Sequence, residues 1–165
     1  MKTTRLGFGR WSPDDLPLAL TLWGDPGVTR LIGGPLAPAG AEKRLRAEIE
    51  SMAAQSVQYW PIFLLASGEF AGCAGLRPYR VEDRVYELGF HLRPAYWGQG
   101  LATEAAQAVA AFAFDEVGAA ALFAGHHPEN TPSRRVLEKL GFRFTHEEFY
   151  PPTGLHHPSY LLVRG

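Results

Sequence analysis

A single cysteine stands in 165 residues, at position 73. One thiol cannot close an intramolecular disulfide, so no covalent staple is available to this chain. With no signal-like N-terminal segment either, the expected compartment is cytoplasmic. Excess charge of either sign is missing as well: 16 Lys and Arg against 17 Asp and Glu leave −1. No global basic field exists to hold DNA or RNA, so nucleic acid is not an expected partner. No apolar run approaches the ~20 residues that span a bilayer, so membrane is not an expected partner either. The histidine pairs His126-His127 and His156-His157 lack the i, i+4 spacing of a helical zinc pair, and no metal is expected. Repeats and low-complexity tracts are absent. What is plentiful is apolar surface, with 46% hydrophobic and 12% aromatic residues. That excludes a disordered chain. The length suits one domain over residues 1–165, as monomer or homodimer.

Periodicity and turn chemistry divide the chain. "TRLGFGRW" (Thr4–Trp11) alternates in part and reads as a half-buried strand. Ser12, Pro13, Asp14 and Asp15 form a helix-start signal, and the first helix runs to about Trp23. "GDPGVTRLIGGPLAP" (Gly24–Pro38) reads as a loop with a short helical turn. Ala39–Gln55 is rich in helix formers, with an apolar stripe through Leu45 and Ile49 and a charged stretch, "EKRLRAE", that reads as a solvated face. Three strand-like runs follow closely: Tyr59–Ala66, Phe70–Tyr79 and Arg84–Pro94, the signature of an antiparallel meander. An Ala-rich helix from Gly100 to about Val117 comes next, then a short strand (Ala120–Gly125), a helix (Pro132–Gly141) closed by glycine, and two closing strands. The fold class is α+β: a mixed, mostly antiparallel sheet of about 6–7 strands flanked by about 4 helices.

The most informative stretch is "AYWGQGLATEA" (Ala95–Ala105), two glycines at the junction of a strand and a helix. A tight turn explains it; so does an anion site built of backbone N–H groups at a helix start. A P-loop needs Lys and Ser or Thr after its last Gly, but Leu101 and Ala102 follow Gly100. The dinucleotide fingerprint needs Gly or Ala at its sixth position, which is Thr103 here. A third pattern fits. Gly98, Gly100 and Ala102 leave successive N–H groups uncovered, and helix polarity adds about half a positive charge there. A pyrophosphate suits that charge and spacing.

On these residues the chain resembles the GNAT acetyltransferase superfamily, whose Q/R-x-x-G-x-G/A motif binds the pyrophosphate of acetyl-CoA. Trp97 stands where that motif has Gln or Arg, a form similar to the ribosomal-protein N-terminal acetyltransferase (RimJ/RimL-like) branch. "DPGVTRLIGG", "YELGFHLRPAYWGQGLATEA" and "HPENTPSRRVLEKLGFRF" resemble that branch in order, over nearly the whole chain. The resemblance implies acetyl-CoA as cosubstrate, held by Trp97, Gly98, Gln99, Gly100, Leu101, Ala102 and Thr103. It also implies contacts from Phe90, His91 and Leu92 on the third meander strand, and from Asn130 and Ser133 near the pantetheine. The implied acceptor is an amine, on a protein N-terminus or a small molecule.

Acetyl transfer to an amine needs a neutral amine, a polarised thioester carbonyl and a proton for the departing thiolate. At pH 7.5 a Lys amine lies ~2.9 units from neutrality, or about 3.9 kcal/mol, whereas an α-amine lies within about half a unit. Glu87 is the first candidate base; it reads equally as an exposed strand carboxylate. His91 is the rival, an even number of residues away and so on the same strand face unless a bulge intervenes. Ser133 is the candidate proton donor to the thiolate, with Asn130 orienting; Thr131 or Ser133 also reads as a helix cap. Backbone N–H groups around Phe90–Leu92 are candidates to polarise the carbonyl. Cys73 reads as packing. Trp11, Trp23, Tyr59 and Trp60 read as core, or as lining of an acceptor cleft. A non-catalytic coenzyme A sensor on the same fold is the alternative outside enzymology.

Overall fold

A computed structural model describes residues 1–165. The strands are β1 (Leu6–Phe8), β2 (Tyr59–Leu64), β3 (Phe70–Arg80), β4 (Val85–Leu92), β5 (Ala121–Gly125), β6 (Arg143–Tyr150) and β7 (Leu155–Val163). They form one seven-stranded sheet in the order β1-β2-β3-β4-β5-β7-β6. Every neighbouring pair is antiparallel except β4 and β5. The helices are α1 (Leu16–Trp23), α2 (Pro26–Thr29), α3 (Pro38–Gln55), α4 (Leu101–Phe112) and α5 (Thr131–Leu140). The α+β class and mostly antiparallel sheet are as the patterning predicts. The fifth helix, α2, is the helical turn expected inside Gly24–Pro38.

The boundaries move for local reasons. β1 is shorter than Thr4–Trp11, because Trp11 leaves the sheet edge and donates its N–H to the Gln58 side chain at 3.1 Å. The helix signal at Ser12 first makes a 3-10 turn, Pro13–Asp15, with the Ser12 N–H donated to the Asp15 carboxylate at 2.8 Å. α4 loses α-helical winding at Phe112 and continues as a π turn to Val117. β7 begins at Leu155, because the β6–β7 turn is tight enough to pair Tyr150 with Leu155.

Side chains alternate between faces along a strand, and each face has its own core. One face presents Trp60, Ile62, Leu76, Leu88 and Leu122 to α4 and α5, through Leu101, Val109 and Leu137. The other presents Tyr59, Phe70 and Cys73 to α1 and α3, through Leu22, Trp23 and Leu45. The charged stretch of α3 departs from expectation. It is not wholly solvated: Glu48 is buried, and Arg44, one turn earlier, turns inward with it.

β3 carries small residues where neighbouring strands come closest. At Gly75 a methyl group would collide with the carbonyl oxygen of Gln58, the residue before β2. Gly75→Ala is expected to destabilise the protein by about 1–3 kcal/mol, the usual cost of overpacking. Chemical denaturation should show a lower midpoint with an unchanged m-value.

Candidate active site

β4 has two unlike edges. On one it pairs with β3 continuously from Tyr86↔Pro78 to Leu92↔Gly72, with no bulge between Glu87 and His91. On the other it pairs with β5 at only three positions, ending at Glu87↔Phe123. Beyond that point each strand follows its outer neighbour. Gly125 pairs with Ser159 of β7, and His126 N–H donates to Pro158 at 3.3 Å. The sheet therefore forks.

Backbone groups alternate sides along a strand. Arg93 N–H points at β3, donating to the Ala71 carbonyl at 2.9 Å. By alternation, the N–H groups of Phe90 and Leu92 point into the fork, where no strand meets them. The Leu92 carbonyl points there too and accepts from Trp97 Nε1–H at 2.8 Å.

A cleft of about 550 Å³ fills the fork. It brings together Glu87, Phe90, His91 and Leu92 from β4 with Trp97 and Ala102 beside the glycine turn. Asn130 and Ser133, at the start of α5, join them. Gly98, Gln99, Gly100, Leu101 and Thr103 do not line it. Leu101 is buried in the core, and the other four lie on the exposed or half-exposed turn at the cleft's end.

The turn has the shape its glycines require. Gly98 and Gly100 sit at φ of +72° and +76°, the left-handed region that other residues enter at a cost. Gly100 caps α4 without a side chain, and the first intrahelical bond is Glu104 N–H to Gly100 O at 3.1 Å. The N–H groups of Leu101, Ala102 and Thr103 are thus left without intrahelical acceptors. Arg5 pins the turn, donating from Nη1 to Gln99 O at 2.8 Å and from Nε to Glu104 at 2.7 Å. Thr3 adds a bond to the same carboxylate at 2.6 Å. Burial pushes Glu104 up, but the bonds from Thr3 and Arg5 outweigh it and hold the group below the usual carboxylate range. Nothing in local sequence marked Arg5, because its partner lies 99 residues away.

At α5 the cap is Asn130, not Thr131 or Ser133. Its Oδ1 accepts the Ser133 N–H at 3.1 Å. The Ser133 hydroxyl makes no hydrogen bond within the protein and lines the cleft.

Glu87, Gly89 and His91 share the other face of β4. Tyr59 lies against them, its hydroxyl occupying the space a methyl on Gly89 would need. Behind Tyr59 sits Glu48, 4% exposed. Its carboxylate binds Arg44 Nε at 3.0 Å and Arg77 Nη2 at 3.6 Å, and accepts the Tyr59 N–H at 2.6 Å. The Arg77 guanidinium lies 4.8 Å from the Tyr59 ring centroid, and that of Arg44 lies 4.6 Å from Trp23. Tyr59, Arg44 and Arg77 all line the cleft. The i, i+4 spacing of Arg44 and Glu48 was visible in the sequence, but the strand that makes it an interior pair was not.

Burial raises the Glu87 pKa, with Arg77 and Arg44 opposing in part. Burial also pushes His91 down to about 3, and the two arginines add to the effect. His91 is therefore a neutral imidazole near pH 7, its Nδ1 accepting Trp23 Nε1–H at 3.2 Å. Burial pushes the Cys73 thiol up to about 12, so it packs as a thiol. His126 and His127 are buried, His126 bonding Tyr160 at 3.1 Å, and no group of three potential ligands is placed to hold a metal. No helix is long and apolar enough to cross a membrane.

The sequence that builds this forked sheet and its bare, glycine-formed helix start matches the acetyltransferase (GNAT) domain family over residues 5–143. The chain belongs to the GNAT acetyltransferase family. This acetyltransferase is 26% identical to an uncharacterized N-acetyltransferase, p20, of Bacillus licheniformis, over 86% of this chain and 80% of that protein. A GNAT-family acetyltransferase from Bacillus anthracis superimposes with a TM-score of 0.84 at 26% identity, covering 99% of this chain and 97% of that one. RimL, a ribosomal L7/L12 α-N-protein acetyltransferase solved with coenzyme A, shares the fold at 15% identity. Its TM-score is 0.83, over 98% of this chain and 95% of that one.

The depressed His91 pKa has a consequence for stability. Between about pH 3 and 6.5 the unfolded state binds the proton that the folded state refuses, so the contribution is intact above 6.5 and lost as pH falls. Relative to His91→Gln, the wild type should lose on the order of 2 kcal/mol between pH 7.5 and 5. Denaturant titrations of both proteins at a series of pH values check this.

Proposed function

We propose that this acetyltransferase transfers acetyl from acetyl-CoA directly to an α-amino group, with residues 1–165 acting as one catalytic domain. The observation that carries the reading is the fork: two unpartnered N–H groups, Phe90 and Leu92, face a cleft that holds a carboxylate of raised proton affinity, Glu87. Acetyl-CoA supplies the acetyl group as an activated thioester. The orphan N–H groups of Leu101, Ala102 and Thr103 fit its pyrophosphate, and the Arg5 guanidinium adds positive charge beside the turn. Phe90 and Leu92 offer N–H donors to the pantetheine and the thioester carbonyl. Glu87 takes a proton from the amine as the N–C bond forms. The Ser133 hydroxyl gives one to the thiolate as the C–S bond breaks and regains one from solvent in the cleft, to which Glu87 releases its own; Asn130 orients the chain beside it. Trp97 packs at the cleft mouth, 53% exposed, with its Nε1 committed to Leu92.

Glu87 suits the base role better than His91. A base works best with a pKa near the working pH. Burial moves Glu87 toward that condition and moves His91 away from it.

Two acceptors fit an α-amine. A protein N-terminus is supported by the "YWGQGLATEA" resemblance and by the fold shared with RimL. A small amine is favoured by how the acceptor end is enclosed. Gly27, Val28, Arg30, Leu31 and Ile32 wall it on one side, and Glu148, Phe149 and Tyr150 on the other. The two walls touch: a methyl on Gly33 would lie 2.9 Å from the Pro152 side chain.

Coenzyme A should raise the melting temperature, since it binds only the folded state. Thiol release measured across an amine and peptide panel then identifies the acceptor; binding with no turnover on any amine would instead favour a sensor. Glu87→Gln should lower kcat/KM by about 10²–10⁴-fold, the usual worth of a general base. The wild-type rate should rise with pH through a carboxylate limb set above the ordinary Glu range, and the variant should lack that limb.

A further inference from the structure

The acceptor half of the cleft is lined by cations with hydrogen-bonding capacity to spare. Arg44 and Arg77 converge on a single carboxylate oxygen, Glu48 Oε1, at 3.0 and 3.6 Å. The other oxygen of Glu48 is committed to the Tyr59 N–H. Two guanidinium charges therefore share one carboxylate. Arg44 Nη2 is also the one buried side-chain nitrogen or oxygen in the protein without a hydrogen-bond partner. Tyr59 is 3% exposed, yet its hydroxyl makes no hydrogen bond within the protein, and the residue lines the cleft. Arg77 is the reachable cation, its side chain 45% exposed.

Glu87 of β4 and Glu148 of β6 are the other carboxylates at this end of the cleft. Glu87 stands directly opposite Arg77 in the β3–β4 register. Directly opposed residues place their Cβ atoms about 4.5–5.5 Å apart. An amine addressed by Glu87 and an anion addressed by Arg77 would thus be separated by only a few bonds. When Glu87 holds the amine's proton, Arg44 and Arg77 face Glu48 and, across the cleft, Glu148, which accepts from the Tyr79 hydroxyl at 2.7 Å. A carboxylate on the acceptor supplies the partner that Arg44 Nη2 and the Tyr59 hydroxyl lack within the protein.

We propose that this end of the cleft is a carboxylate subsite and that the acceptor is a small zwitterion of the free α-amino acid class. Arg77, Arg44 and the Tyr59 hydroxyl take the carboxylate, and Glu87 addresses the amine. This rests on the acetyl-transfer reading above and selects among its acceptors.

The test compares free L-amino acids with their matched carboxamides, the corresponding decarboxylated amines, and short peptides with an acidic second residue. Thiol release is followed with acetyl-CoA as donor. The expected result is a kcat/KM at least tenfold higher for the best free amino acid than for its carboxamide and its decarboxylated amine. Arg77→Gln should reduce that ratio at least tenfold, mainly through KM, and Arg77→Lys should restore part of it. A melting temperature of Arg77→Gln within a few degrees of wild type would exclude unfolding as the cause, and the wild-type acid-to-amide ratio needs no variant at all. Equal use of acid and carboxamide, or preferred use of peptides or decarboxylated amines, would overturn the subsite while leaving acetyl transfer intact. Absence of any coenzyme A-induced melting shift would instead remove the reading on which it rests, and the subsite with it.

Discussion

Strand β4 is bonded along one edge for its whole length and along the other for three residues. Most of the site follows from that asymmetry. A strand buried in a sheet normally spends all its backbone donors on its neighbours. Here the donors of Phe90 and Leu92 are left over, and they are rigid because the opposite edge stays paired down to Leu92. The fork also sets Asn130 and Ser133 of α5 across from β4, since β5 leads into that helix. Divergence of two strands thus supplies an opening, a pair of fixed dipoles and a facing helix start at once.

A second constraint acts behind the sheet. Glu48 ties a helix to two strands through Arg44, Arg77 and the Tyr59 backbone. Burying a carboxylate is costly unless it is paired and hydrogen-bonded. This one has both, and its partners face the cleft. Electrostatic satisfaction of the core and the polarity of the acceptor end are therefore one arrangement.

Much of the fold was legible because its signals are local. The antiparallel meander was marked by closely spaced turns, the glycine turn by bare positions at 98, 100 and 102, and α5 by its closing Gly141. Glu87, Phe90, His91, Leu92, Trp97, Ala102, Asn130 and Ser133, which line the cleft, were legible through ordered motifs. Of the aromatic residues read as possible cleft lining only Tyr59 reaches it, and the two arginines beside it were not legible. Arg44 looks like any charged residue on an amphipathic helix, and only the crossing of β2 and β3 beneath α3 turns it inward. Arg77 reads as one of several strand arginines. The cap of α5 was misread by one to three positions, since Asn130, Thr131 and Ser133 all carry capping chemistry and backbone geometry chose among them.

The bond network around Glu104 links the helix start to Thr3 and Arg5, across 101 and 99 residues of chain. A contact of that separation forms late, after the entropy of a long loop has been lost. The glycine turn is thus braced by the residues that lead into β1. Partly folded chains that already hold the meander and the Ala-rich helix would present a slack turn. The shape of this helix start is accordingly a property of the whole chain: fraying at its first residues would loosen a turn 94 residues away.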